Sequence, residues 1–598
     1  MSISLPLANQ STRIAVVDRE LCNPQKCALE CMRACPINRQ NKPCIAIDPI
    51  INKAVIDEDL CIGCRLCVPA CPFEAIRIVN LPKELAQNPV HQFFKNSFRL
   101  YKLPTPKHGN VLALVGRNGV GKTTALKILT GNLIPNLGNY SKPGDYAAII
   151  KQFRGKELQT FFTQAKEKKL SFSFKPQIID KIPEQFKGKV RDLLKKTDER
   201  KELEKLAKEL QIDSILDNQL SELSGGELQR VAIAATLLKE SSAYFLDEPT
   251  SYLDVKQRLI MAGAVRKIAE NGKIVVVVEH DLAVLDYLAD YVNVFFGEPA
   301  VYGVVSETRS SKNGVNEFLA GYLKTENVRI RKKELKFSIN SNKQEKKTVF
   351  LAYPSLEKTF SNFKLTVDEG RIMRGEVVAV VGANGIGKST FVKMLAGVEK
   401  SDNDSMNFKL KVSYKPQYLK TEENITVNEL LFREKIDFEL FRTEFEQKLD
   451  LHKFLEKKLD TLSGGELQKV AIAVTLCKPC DLVLLDEPTA FIDIEDRLVI
   501  ADILRHIAFV KDLPILVVDH DILFQDYVAD RIMVFDGIPS RKGQGKPAQE
   551  LIQGMNDFLK TLDITFRRDP ESGRLRANKP GSLLDLEQKK ANQYYALH

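Results

Sequence analysis

Leu223-Ser224-Gly225-Gly226-Glu227-Leu228-Gln229-Arg230 returns almost letter for letter as Leu462-Ser463-Gly464-Gly465-Glu466-Leu467-Gln468-Lys469. Behind each copy an apolar run ends in an acidic pair, Asp247-Glu248 and Asp486-Glu487, and the interval is the same. From Gly225 to Asp247 is 22 positions, and from Gly464 to Asp486 is also 22. A repeat conserved in both letters and spacing marks a duplicated structural unit.

Upstream of the first copy, Val111-Leu112-Ala113-Leu114-Val115 reads as a buried strand. It runs into Gly116-Arg117-Asn118-Gly119-Val120-Gly121-Lys122-Thr123-Thr124 and then into a helical pattern. This is G-x4-G-K-T in strand-loop-helix context, a phosphate-binding loop. Its glycines let backbone N–H groups approach phosphate, and the helix N-terminus adds its positive end. Lys122 is placed to reach the β- and γ-phosphates and Thr123 to hold Mg²⁺. The second copy carries Gly382-Ala383-Asn384-Gly385-Ile386-Gly387-Lys388-Ser389-Thr390, with Lys388 and Ser389 in those roles. Asp247 and Asp486 are the expected ligands of the Mg²⁺ shell. Glu248 and Glu487 are expected to orient and polarise the attacking water.

A P-loop, an LSGGE run and an Asp-Glu strand in this order resemble the ATP-binding-cassette (ABC) ATPases. The resemblance implies further parts: Gln177 and Gln417 as Q-loop residues, Asp254 and Asp493 in the D-loops, His280 and His520 as switch histidines contacting the γ-phosphate. Such cores bind ATP between the P-loop of one and the signature of the other. Site one then joins Lys122, Gln177, Glu248 and His280 to Ser463, Gly464 and Gly465. Site two joins Lys388, Gln417, Glu487 and His520 to Ser224, Gly225 and Gly226. Phe98 or Tyr101 is the candidate for adenine stacking in the first site, and Tyr353 in the second.

The halves differ in one interval. Lys122 to Gln177 is 55 positions, against 29 from Lys388 to Gln417. The first core therefore carries an insertion, placed within residues 139–170 and read as a short basic helical hairpin. It is either a tolerated surface insertion or a contact for a large anionic partner. A second repeat, offset by 240 residues, relates Asp286-Tyr287-Leu288-Ala289-Asp290 to Asp526-Tyr527-Val528-Ala529-Asp530, and Asn316-Glu317-Phe318-Leu319 to Asn556-Asp557-Phe558-Leu559. Basic residues follow each: Arg329, Arg331, Lys332 and Lys333, then Arg567, Arg568, Arg574 and Arg576. They read either as solvated faces or as paired hinges lying on nucleic-acid phosphate. The tail from Gly581 reads as polar and partly flexible.

Nine of the 11 cysteines fall between Cys22 and Cys71. No apolar run approaches the roughly 18 residues that span a bilayer, and residues 1–10 lack the pattern of an export signal. A cysteine cluster in such a chain points to metal or cluster binding. Cys61, Cys64, Cys67, Cys71 and Pro72 form the C-x2-C-x2-C-x3-C-P run of two-cluster ferredoxins, whose fourth cysteine serves the other cluster. With Cys22, Cys27, Cys31 and Cys35 upstream, this predicts two [4Fe-4S] clusters. One is on Cys61, Cys64, Cys67 and Cys35, the other on Cys22, Cys27, Cys31 and Cys71, with Cys44 left over. A pair of structural zinc sites is the alternative. The formal charge of +10 permits an anionic partner without requiring one.

A double cysteine-rich segment fused to tandem cores resembles one family closely, the ABC-E ATPases, also named RNase L inhibitor. Leu220-Ser221-Glu222-Leu223, the run Glu248 to Leu259 and Ile564-Thr565-Phe566-Arg567-Arg568-Asp569-Pro570 carry the resemblance. It implies an α/β protein with two ABC-type P-loop domains and an N-terminal ferredoxin-like α+β iron–sulfur domain. The expected division is 1–85 for the iron–sulfur domain, 86–315 for the first ATPase domain, 316–345 for hinge and linker, 346–545 for the second ATPase domain, and 546–598 for a C-terminal hinge and tail. The implied activity is ATP-driven ribosome splitting, together with a class-one release factor or a Pelota-type rescue factor. The factor then stays on the small subunit and its RNA, where initiation factors are further partners. A monomer in the cytoplasm is expected, with the nucleus left open and no membrane association. The alternatives are an iron–sulfur redox protein with ATP-gated electron transfer and the soluble half of a transporter.

Overall fold

The run of β-branched residues Ile274–Val278 and its neighbours Val111–Gly116 and Ala243–Asp247 are buried at every position. Near-continuous apolar runs of this kind belong to parallel strands covered on both faces. In the computed structural model, which describes residues 13–80, 89–337, 348–403, 410–417 and 425–596, they form the centre of a nine-stranded sheet. The parallel core runs Tyr291–Glu298, Val111–Gly116, Ile274–Val278, Ala243–Asp247, Phe172–Lys175, and short strands of mixed direction finish the Tyr291–Glu298 side. A second sheet repeats this order strand for strand around Val377–Val381. Both P-loops leave the carboxyl end of a central strand, the position where open α/β sheets bind ligands.

The cysteine-rich segment is a separate small unit. Arg13–Val17 pairs antiparallel with Ile76–Asn80, and Ile45–Asp48 with Lys53–Ile56. The short helices Glu30–Ala34, Pro36–Arg39 and Cys67–Ala70 carry or flank the cysteines. Its own core holds six of the buried thiols. Glu58 fastens it to the first cassette by a two-oxygen pair with Arg99 at 2.7 and 2.8 Å.

The extra residues of the first core fold as the helices Tyr146–Gln152 and Glu157–Lys166. Phe153, Leu158, Phe161 and Phe162 face inward, leaving Lys151, Arg154, Lys156, Lys166 and Lys168 exposed. The 315/316 division lies inside the helix Ser311–Ala320. The divisions at 85/86 and 345/346, and the segment read for an export signal, fall outside the described residues. Among the described residues no helix is long and apolar enough to cross a membrane.

Two expectations for the C-terminal region are corrected. The tail is not loose: it forms the helix Leu583–Lys590, and Tyr595 returns to bridge Phe566. The arginines of the second basic run are not a free cationic face either. Arg574 is fully buried on Asp286, Arg576 pairs with Asp286 and Asp569, and Arg568 grips Asp526. In the first run Arg331 is likewise paired, with Glu495 of the second cassette. Sequence shows the charges, but their partners lie up to 290 residues away.

Candidate active site

Each LSGGE run is a helix start. Ser224 caps Gly225–Leu237, and Glu227 reaches back to the Ser224 N–H at 2.9 Å, a capping box; Ser463 and Glu466 do the same for Gly464–Cys477. The box fixes the first turn, so the N–H groups of the glycines point out of the helix end as anion donors. Those ends face the other cassette. A cavity of about 780 Å³ is walled by Lys122, Thr123 and Gln177 of the first cassette and Ser463, Gly464 and Gly465 of the second. The second junction is built alike. Asn384 N donates to Asp254 Oδ2 (2.9 Å) and Asn384 Nδ2 to Tyr252 O (3.2 Å), and a methyl on Gly226 would meet Asn384 Nδ2 at 3.6 Å.

Within a cassette the loops converge on the acidic pair. Thr123 Oγ1 donates to Asp247 Oδ2 at 2.9 Å, and Ser389 bonds Asp486. Gln177 Nε2 donates to Glu248 Oε1 at 2.8 Å, and Gln417 to Glu487 at 2.7 Å. His280 Nε2 and His520 Nε2 each stand 3.5 Å from these glutamates. Lys122 is folded onto Gly116 O and Arg117 O, and Lys388 onto Gly382 O and Ala383 O. Gly121 holds φ +94°, where a Cβ would strike the Phe98 ring at 2.7 Å, so only glycine lets the loop close on that ring. Gly116, Asn118, Gly119 and Thr124 complete the first loop, and Gly382, Gly385, Gly387 and Thr390 the second. Glu248 and Glu487 sit at φ +46° and +47°, strained backbone of the kind that collects at functional sites.

Burial sets the electrostatics. It lowers Lys122 and Lys388 to about 8 and raises Asp247 to about 6, with Glu248 adding repulsion. Burial also opposes the charge on Glu248, but the bond and charge of His280, then Lys122 and Gln177, bring it down to about 2. His280 is itself pushed below the usual imidazole range by burial and by Lys122. Glu487 reaches about 2 by the same balance with His520, Gln417 and Lys388. The result is a carboxylate that stays charged beside a lysine whose proton burial has loosened, ready for a polyanion and a polarised water.

Of the three adenine candidates, one lies at a nucleotide cavity. Phe98 lines the first cavity. Tyr101 is core, packed edge-on against Tyr302, and Tyr353 is core against Phe391 with its hydroxyl on Met533. The counterpart of Phe98 is Phe363, whose ring lies 3.0 Å from a Cβ built on Gly387. Sequence reading also missed Lys175 and Lys415, each buried with Nζ on the carbonyls of the acidic pair. Gln229, which ties the signature helix to Glu248 O and Pro249 O, was missed as well. The signal was present, since Lys-Pro-Gln and Leu-Gln recur in both halves.

The thiols gather in two groups. Cys22, Cys27, Cys31 and Cys71 line one cavity. Cys67 lies among Cys61, Cys64 and Cys35, and burial followed by those thiols pushes it up to about 12. Burial and then Cys71 raise Cys31 to about 11. One group of four thiols, and a second of four joined by Cys44 against Cys35 and Cys61, form a donor set that fits iron–sulfur clusters. For Mg²⁺ the fitting observation is that Asp247 Oδ1 and Asp486 Oδ1 are buried without a partner beside the P-loop hydroxyls.

Fold and site together define a tandem ABC ATPase with a ferredoxin-like iron–sulfur domain. Family models agree: "ABC transporter" matches residues 105–251 and 365–490, "Possible Fer4-like domain in RNase L inhibitor, RLI" matches 12–43, and "4Fe-4S binding domain" matches 54–77. The chain is 47% identical to an ABC transporter ATP-binding protein of Methanocaldococcus jannaschii over 98% of each chain. It is 42% identical to translation initiation factor RLI1 of Saccharomyces cerevisiae over 99% of each. A model of ribosome-bound archaeal Pelota and ABCE1 contains a chain with TM-score 0.93 and 49% identity, covering 98% of this chain and 99% of that one. The archaeal ribosome recycling factor crystallised with the ribosomal stalk protein gives TM-score 0.80 and 49% identity, over 85% and 99%. The chain belongs to the ABC-E family, the RNase L inhibitor family. It is an ATPase that binds ATP with Mg²⁺ and carries 4Fe-4S clusters.

Proposed function

We propose that this ATPase is a ribosome recycling factor: with a release factor or a Pelota-type rescue factor it splits ribosomes, then stays on the small subunit, in the cytoplasm. One observation carries the reading. The first nucleotide cavity is walled by all three units, Arg77 of the iron–sulfur domain, Lys122 of the first cassette and Gly464 of the second. Arg77 Nη1 donates to Pro299 O at 2.9 Å, and the next residue, Ala300, donates to Gly119 O of the P-loop. Closing the cassettes on ATP therefore shifts the ground on which the iron–sulfur domain rests. One relative on the ribosome with Pelota, and another in complex with the ribosomal stalk protein, support the same reading.

In this proposal Glu248 and Glu487 polarise the attacking water, with His280 and His520 on the γ-phosphate. The P-loop glycines with Asn118, Lys122, Thr124, Asn384, Lys388 and Thr390 cradle phosphate, and Ser224 to Gly226 and Ser463 to Gly465 close on it from across. Thr123 with Asp247, and Ser389 with Asp486, would hold Mg²⁺, which neutralises developing phosphate charge. The eight cysteines Cys22, Cys27, Cys31, Cys71 and Cys35, Cys61, Cys64, Cys67 hold the clusters. The five-part division at residues 85, 315, 345 and 545 organises these roles. The exposed lysines of the helical insertion suit small-subunit RNA, and one chain supplies both cassettes.

The test is a splitting assay with purified ribosomes and rescue factor. The native chain is expected to separate subunits with ATP. The Glu248→Gln, Glu487→Gln chain is expected to close and remain on small subunits. Hydrolysis with subunits still joined would sink the proposal.

A further inference from the structure

Two half-buried arginines join parts of the machine that the motif reading treats separately. Arg258 Nε donates to Leu253 O of its own D-loop at 2.8 Å, and Nη1 donates to Asp281 Oδ2 at 2.5 Å. Asp281 follows His280 and caps the helix Leu282–Leu288 through Ala283 N and Val284 N. Arg497 repeats this: Nε to Ile492 O at 2.7 Å and Nη1 to Asp521 Oδ2 at 2.5 Å, with Asp521 following His520. The fork of each guanidinium thus holds a switch loop and a D-loop in fixed relation, which a lysine's point charge does not do.

The D-loops continue into the other site. Tyr252 O and Asp254 Oδ2 receive Asn384 of the second P-loop, at 3.2 and 2.9 Å. Phe491 O and Asp493 Oδ2 receive Asn118 of the first, both at 3.4 Å. Tyr252 and Phe491 meet edge to face at 5.7 Å, and both hold positive φ, +64° and +62°. Side chains at those angles persist only where the surroundings determine them. Both arginines, both histidines and both catalytic glutamates line one chamber between the cassettes.

We propose that Arg258 and Arg497 are positioning residues that carry the state of each ATP site to the other. One arm runs His280–Asp281–Arg258–Leu253–Tyr252–Asn384, from site one to site two. The other runs His520–Asp521–Arg497–Ile492–Phe491–Asn118. When γ-phosphate leaves His280, the freed switch loop draws on Arg258, the D-loop shifts, and Asn384 loses its bonds. The shorter contacts at Asn384 make the arm from site one the stronger. The inference rests on the composite-site reading given above.

The test isolates one site's turnover while fixing the other's state. In a Lys122→Ala chain site one lacks its phosphate anchor. In a Glu248→Gln chain it holds uncleaved ATP. Both chains hydrolyse only at site two, and the ratio of their turnovers measures what site two hears. We expect that ratio to differ from one by about fivefold or more, the lower end of usual site-to-site coupling. Adding Arg258→Lys should bring it to within about twofold of one, while adding Arg497→Lys should leave it unchanged. The mirror pair, Lys388→Ala and Glu487→Gln, should reverse the two arginines' roles. A general loss of packing would move both ratios together. A native ratio of one, a ratio indifferent to Arg258→Lys, or equal effects of the two arginines would each overturn the relay. Absence of any hydrolysis at site two in both starting chains would instead sink the composite-site reading. If Arg258→Lys does not fold, Arg258→Gln carries the same test.

Discussion

Arg574→Met should loosen the C-terminal clasp from the first cassette and leave it on the second. Arg574 is 0% exposed and its partner Asp286 1%. Removing one partner of a buried ion pair costs about 3–5 kcal/mol, because the other charge is left in a low dielectric. Arg576 Nε remains 3.1 Å from Asp286 Oδ2, so part of that charge stays paired and we expect about 2–3 kcal/mol. Arg568 keeps its two bonds to Asp526 at 2.8 and 2.9 Å, and Asn556 still receives Tyr595 N at 3.2 Å. The loss is therefore local to one end.

Hydrogen exchange reads it directly. The hairpin amides that pair Phe566–Arg568 with Leu575–Ala577, and Asp569 N on Arg574 O, should exchange about 30- to 150-fold faster, at 1.4 kcal/mol per decade. Amides of the helix Leu551–Leu562 should not change. Asp286→Asn combined with Arg574→Met should cost less than the sum of the two single changes, since both break one pair. Unchanged hairpin exchange, or additive costs, would refute the clasp.

Three further outcomes follow from the site. Cys71→Ser should remove the cluster shared with Cys22, Cys27 and Cys31 and spare the other, so iron falls from about eight to about four per chain; loss of both clusters or of neither would count against cross-ligation. Phe363→Ala should weaken ATP at site two by about tenfold, since base stacking on an aromatic is worth ~1–3 kcal/mol, whereas Tyr353→Ala should lower the melting temperature through the core and leave nucleotide affinity at site two in place. Lys122 and Lys388 rest at about 8 before nucleotide arrives, and phosphate raises them. ATP affinity should then be full below pH 8 and fall as pH rises through it, with up to about one proton taken up per site near about pH 9 and almost none at about pH 6.5. Titration calorimetry in two buffers of different ionisation enthalpy measures the uptake, and a pH-independent proton count would contradict it.

The cassettes were legible because their chemistry is local. A phosphate loop needs glycines, lysine and a hydroxyl within nine positions, duplication at equal spacing showed two such units, and the resemblance to ABC ATPases implied how their parts pair across the junction. The insertion was legible for the same reason, as a difference between two intervals that should match. The ring for adenine was not. Tyr353 and Phe363 both stand near the same strand, and only the close approach at Gly387 separates core from site. The arginine runs misled because charge is visible in sequence and pairing is not. Arg574 reads as a solvent group until Asp286 is placed beside it. Arg258 and Arg497 sit four positions after the D-loop aspartates in both halves, yet a lone arginine early in a helix carries no mark of what its fork holds.

Fusion of two similar halves lets them differ, and the differences fall on one side. The turn that hydrogen-bonds the P-loop exists in both cassettes: Ala300 N meets Gly119 O, and Ser540 N meets Gly385 O. In the first cassette Arg77 sits on that turn. In the second the corresponding turn leaves Ile538 58% exposed. The switch carboxylates differ in length: Glu279 accepts from Thr250 Oγ1, the shorter Asp519 takes the Thr489 hydroxyl between its two oxygens, each at 2.8 Å, and burial raises both. A homodimer must place an iron–sulfur domain on both turns or neither. Among the described residues the first cavity reaches that domain through Arg77, and the proposed arm through Arg258 leads from site one to site two with the shorter contacts. On the proposed relay, hydrolysis at site one would both shift the footing of the domain and inform the other site, whereas hydrolysis at site two would act on it through Arg497 and Asn118.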